Sequence, residues 1–187
     1  GLSHLSAAHH TLSPARSHPS QRGHPPLLTT GQDAAIPTEL ANTKPDTGIE
    51  LQVPPCVESL FVVAPLAYYL GADVTVADRR RALLTAEGTD VRREFEPFPE
   101  FQDEVGSLVQ RLFYLDCLVR RINPESDPGL LERCSLDPAA VRSLTPAGRL
   151  ARYLSTPTDA VDAAMPEWHL STHTQPSLER ARCLPFL

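Results

Sequence analysis

The stretch YYLGADVTVADRR, Tyr68 to Arg80, decides how this chain is read. A helix-like end, a glycine, a short β-branched run and an aspartate follow one another. The same order marks the passage from first helix to second strand in a nucleotide-binding fold. Either Asp78 holds a ribose, or a buried helix simply hands over to a strand. The residues upstream choose between these. GIELQV alternates and predicts a strand over Ile49–Val53, stopped by Pro54 and Pro55. CVESLFVVAPLAYYLG is apolar nearly all round, as a buried helix is, and Pro65 is expected to kink or restart it. Gly71 suits the left-handed position that closes a helix, and residues 73–77 then read as a buried strand. The unit is β-α-β, which favours a right-handed crossover and a parallel pair. Its first turn, VPPCVES, has two prolines and no glycine, so the N–H donors a pyrophosphate needs are missing. No GxxxxGK[ST] loop occurs either. Asp78 is therefore expected to be a solvated residue at a strand end.

Downstream, ALLTAEGTDVRREFEPF places a Gly-containing turn at Glu87–Asp90 between two extended pieces, predicting a hairpin. Phe101, Val105, Leu108, Leu112, Leu115, Val119 and Ile122 then recur at 4,3 spacing, with Val109 and Phe113 widening the stripe. That pattern predicts one long amphipathic helix of about six turns. Four cap-plus-proline pairs follow: Asp127-Pro128, Asp137-Pro138, Thr145-Pro146 and Thr156-Pro157. Each sets a capping side chain before a proline at the first helical position, predicting short helices near 128–134, 138–144, 146–154 and 157–164. EWHLSTHT is expected to be extended, and PSLERARCLPFL to open another helix. The fold class is α/β, with a helix-rich α+β arrangement as its variant.

Residues 1–46 read differently. They are rich in Ser, Thr, Pro, His and Gly, show no sustained period, and hold five of the seven histidines. Such a segment is expected to be a disordered arm, because it offers little apolar surface to offset its ordering entropy. Residues 47–187 are expected to form one α/β region, cut at its C-terminal end. The formal charge of −6 argues against general attraction to nucleic acid or anionic membrane. No run of about 18 apolar residues exists to span a bilayer. Cys56, Cys117, Cys134 and Cys183 lack CxxC spacing, so they are read as reduced thiols of a cytoplasmic protein. Lys44 is the only lysine beside sixteen arginines, a bias of GC-rich genomes that also suits high salt.

Three constellations invite chemistry. Residues 149–165 scan like a helix-turn-helix, but the second helix would carry Asp159 and Asp162 and no basic residue, opposing phosphate attraction. His169 and His173 would lie about 13 Å apart on extended backbone, too far for one ion. Cys117 and Cys183 are the candidate nucleophiles of a stand-alone cysteine hydrolase. His173 and Cys183 could form a dyad, but their contexts show neither a helix-start cysteine nor a Gly-rich oxyanion loop. Asp116 falls on the apolar stripe of the long helix, where a carboxylate must be paired; Arg120, one turn later, is the expected partner. No catalytic, cofactor-binding or metal-binding residue is assigned from these patterns.

From residue 47 onward, four stretches carry a family resemblance: TGIELQVPP, VAPLAYYLGADV, LFYLDCLVRR and MPEWHLSTHTQPSLERARCLPFL. The chain resembles, over about three quarters of its length, large proteins of halophilic archaea related to CHAT-type, caspase-like peptidases. The resemblance implies a region upstream of a His–Cys catalytic domain. Nothing in residues 1–187 matches either catalytic motif, and the His-rich first 45 residues depart from the family. The implied role is that of a non-catalytic structural or interaction region that packs on such a domain, in cis or in another protein. A cysteine hydrolase and a DNA-binding regulator are the alternatives.

Overall fold

The computed structural model describes residues 1–33, 35–120, 128–168 and 172–186. The expectations placed on Ile122, Asp127, His169 and Leu187 lie outside the described residues. The chain adopts an α/β fold around a four-stranded mixed sheet. Its strands are β1 (Ile49–Val53), β2 (Asp73–Val76), β3 (Leu83–Ala86) and β4 (Arg92–Glu94), in the order β2-β1-β3-β4.

The β-α-β reading holds. β1 and β2 pair in parallel, with Glu50 opposite Asp73 and Val53 opposite Val76. A short helix α1 (Thr38–Thr43) precedes the unit, and the crossover is α2 (Val57–Leu70). Pro65 lies inside α2, yet the helix runs unbroken to Leu70, where burial in the core holds it despite the missing N–H. Gly71 closes it at φ 68°, ψ 30°. A Cβ at Gly71 would lie 2.9 Å from the Thr47 methyl, so glycine is needed there for space as well as for conformation. The Thr47 hydroxyl donates to the Gly71 carbonyl at 3.0 Å and fixes the entry to β1 against the exit from α2.

One correction concerns β2. It is an edge strand, half-buried to exposed, rather than a buried one, and Val76 is 58% exposed. The reason lies in β3, which returns antiparallel on the far side of β1 and leaves β2 paired only once. β3 and β4 form the expected hairpin. β1 buries Ile49, Leu51 and Val53 and turns Glu50 and Gln52 to a polar face, where Glu50 accepts from Thr75 at 2.8 Å.

The long helix is α3 (Glu100–Arg120), burying Phe101, Val105, Leu108, Leu112, Leu115 and Val119 as their spacing requires. The short helices follow: α4 (Pro128–Arg133), α5 (Pro138–Ser143), α6 (Pro146–Leu154) and α7 (Thr158–Asp162). Asp137 caps α5 through Ala139 and Ala140 N–H, and Thr145 caps α6 through Gly148 N–H. The fourth pair is shifted by one residue. Pro157 is itself the N-cap of α7, while the Thr156 hydroxyl turns back to the Arg152 carbonyl at 3.2 Å. The terminal segment Leu178–Phe186 is a run of 3-10 turns, with Pro185 inside it.

The first part of the arm is packed, where its composition argued for disorder. Leu2–Ala8 and Pro14–Ser17 form 3-10 turns that pack on α2 and α3 respectively, a third turn at Pro19–Gln21 packs on the second, and Leu2, Leu5, Ser6, Arg16 and Ser17 are buried. The few apolar residues of this segment are enough because they join the core of the α/β region instead of forming their own. No described helix is long and apolar enough to cross a membrane.

Candidate functional site

Asp116 is the centre from which the chemistry of this molecule is read. The heptad-like spacing of α3 turns it inward, and it is fully buried. One oxygen, Oδ2, accepts from Arg16 Nε at 2.9 Å and from the Tyr69 hydroxyl at 2.7 Å. The other, Oδ1, accepts from the Tyr153 hydroxyl at 2.8 Å. Arg149 Nε stands 3.8 Å from Oδ1, an ion pair beyond hydrogen-bonding distance. α2 thus supplies Tyr69, α6 supplies Tyr153 and Arg149, and the arm supplies Arg16.

Arg120, the partner expected from its position, is not among them; it donates to the Ala15 carbonyl at 3.3 Å. The side chain that pairs with Asp116 comes instead from a hundred residues away, and only the three-dimensional return of the arm brings it there.

The electrostatics follow from burial and contact. Burial opposes the Arg16 charge, but Asp116, aided by Tyr69 and Tyr153, overcomes that opposition and leaves the guanidinium pKa above its ordinary value. Arg149 goes the other way: burial and repulsion from Arg16 outweigh the more distant Asp116, and its pKa is lowered. Burial also pushes both tyrosine hydroxyls up, and the Asp116 charge adds to the effect. Both phenols therefore stay protonated and act as donors. The Arg16 guanidinium further stacks over the Tyr69 ring, 4.5 Å from its centroid. Arg149 reaches the arm as well, donating from Nη2 to the Leu12 carbonyl. This is a closed centre in which one carboxylate ties the arm to α2, α3 and α6.

The other candidates are dispersed. Burial pushes the Cys117 thiol up, against opposing effects of Ser17 and Arg120, so it is a poor thiolate. Cys183 is half-buried in the terminal turn and His173 is exposed on irregular backbone, with no hydrogen bond between them. All four cysteines are free. α7 is a five-residue helix that buries Val161 and carries Asp159 and Asp162. Asp78 is exposed beyond the end of β2. Among the described residues, no group of three or more His, Cys, Asp or Glu is placed to hold a metal.

Sequence reasoning missed a groove of about 460 Å³ over α2 and α3. Pro65, Tyr68, Val109 and Phe113 form its floor, while the arm and the segments around Trp168 and Phe186 form its walls. Only the aromatic content of four separate stretches hinted at it. Comparison with protein-family models, curated proteins and solved structures finds no match to this chain.

Proposed function

We propose that this chain is a non-catalytic interaction region that packs on a partner domain through its C-terminal turn. One observation carries the reading. The turn Leu178–Phe186 is anchored by buried Leu184 and Pro185, yet presents Leu178 and Phe186 outward, each 65% exposed. Leu184 is the anchor of that surface and not part of it. Anchored apolar side chains held in solvent are what an interface offers before its partner arrives. The partner we propose is a caspase-like, CHAT-type peptidase domain, which the residues of the resemblance suggest. The closed Asp116 centre and the unactivated Cys117 support a non-catalytic role.

The test is co-expression of the full chain with the CHAT-type domain encoded beside it. A co-eluting complex that is lost in the double variant Leu178→Glu, Phe186→Glu supports the reading. Separate elution, or no such domain in the neighbouring sequence, overturns the pairing. Rapid single-site labelling by a thiol-directed probe at neutral pH would overturn the non-catalytic role and favour the cysteine hydrolase.

A further inference from the structure

We infer that the groove over α2 and α3 is a binding site for a small amphipathic carboxylate, with Arg22 as the anion receptor and an aromatic floor for the apolar body. The inference goes beyond the interaction reading and does not depend on it, because five segments of this one chain build the groove.

The lining is apolar and aromatic except at one point. Arg22 is the single charged side chain among the described lining residues, in a chain whose formal charge is −6. No carboxylate pairs with it among the described residues; its guanidinium stands over the Phe113 ring, 5.8 Å from the centroid. The other polar side chains of the lining are already committed: the Tyr68 hydroxyl donates to the Gly23 carbonyl at 3.3 Å, and the Tyr69 hydroxyl to Asp116. The groove therefore offers one unspent charged donor, and its sign selects the ligand.

Phe113 also links the cation to the aromatic wall. Trp168 meets the same ring edge-on, with centroids 5.7 Å apart. The cation and the aromatic wall are thus both within reach of a single small molecule. A carboxylate would take the forked guanidinium in a charge-assisted pair, and its apolar body would lie against Phe113 and Trp168. The groove volume falls in the range of roughly 300–1,000 Å³ usual for small-ligand sites. A cationic ligand of the same shape would be repelled by Arg22.

The chain carries its own probe, because Trp168 is the only tryptophan. The experiment titrates the full chain with 4-phenylbutyrate and with 4-phenylbutylamine, reading Trp168 emission under selective excitation. The expected result is a saturable blue shift with the carboxylate, and at least roughly tenfold weaker binding of the amine. Arg22→Gln is expected to weaken carboxylate binding by roughly tenfold or more, with circular dichroism unchanged. Arg22→Lys, which keeps the charge without the fork, is expected to recover part of the loss. The inference is overturned if no saturable change occurs at millimolar probe, if amine and carboxylate bind equally, or if Arg22→Gln binds as wild type does. Should Arg22→Gln lose its fold, the carboxylate-to-amine contrast in the wild-type chain decides alone.

Discussion

Asp116 receives three hydrogen bonds in a site that water does not reach, and its neighbours include two guanidiniums. Arg16 Nη1 is buried without a hydrogen-bond partner, and two buried guanidiniums share one carboxylate. Removing the single anion is therefore the harshest change available. Asp116→Asn is expected to cost about 3–5 kcal/mol, because both arginines stay buried with nothing to balance them. Urea unfolding of the full chain measures this directly, as a fall in midpoint. Tyr153→Phe removes one donor to a charged acceptor and keeps the ring, so its expected cost is smaller, about 1.5–3 kcal/mol. A carboxylate placed on the apolar stripe of α3 made the need for a partner legible in the sequence. Which residue would answer it was not legible. Arg120 was one turn away, but Arg16 arrives with the arm and also stacks on Tyr69, which no local spacing encodes.

At the scale of elements, the chain is most readable where a local constraint sets geometry. Gly71 ends α2 because the chain there must turn through a left-handed conformation while its backbone passes Thr47. Gly71→Ala is expected to destabilise the fold by about 1–3 kcal/mol, since it meets both the backbone strain and the 2.9 Å approach to the Thr47 methyl. Thermal melts of Gly71→Ala and of the double variant Gly71→Ala, Thr47→Ser separate the two causes. Relief of crowding without relief of strain should restore only part of the stability. Caps behave likewise: Asp137 and Thr145 act where they stand because each needs only the next turn of its own helix. Thr156 fails as a cap because its hydroxyl is taken by the preceding helix α6 instead of by its own. Arg111 from α3 donates to its carbonyl, and its hydroxyl already serves Arg152. The same limit explains β2, whose β-branched run fixed a strand but could not say that β3 would leave it at the edge. The groove stayed hidden for that reason too, since its walls are distant in sequence and meet only after α2 and α3 pack.

The whole molecule depends on an arm whose composition argued for disorder. Composition measures whether a segment can build its own core, and this one does not; it completes a core that α2 and α3 already offer. Its docking should depend on pH through His9. That ring lies edge-on to Tyr68, with centroids 4.6 Å apart, and both of its nitrogens are buried without hydrogen-bond partners. Burial comes first, then repulsion from Arg16, Arg22 and His10, and together they lower its pKa to about 4. Every charged group acting on the ring is cationic and Tyr68 is a neutral neighbour, so nothing nearby rewards a proton on His9. The sign follows from linkage. An undocked arm binds the proton near pH 6.5, whereas the docked arm resists it until about pH 4. Docking is therefore fully supported above pH 6.5 and is progressively lost as pH falls toward 4. His9→Phe keeps the aromatic contact and removes the titration, so it should flatten that part of the profile. Limited proteolysis within residues 1–23, compared at pH 7 and pH 4.5 in both chains, measures this. Cleavage should rise in acid for the wild-type chain and rise much less for His9→Phe. Equal acid sensitivity of the two would assign arm release to another group.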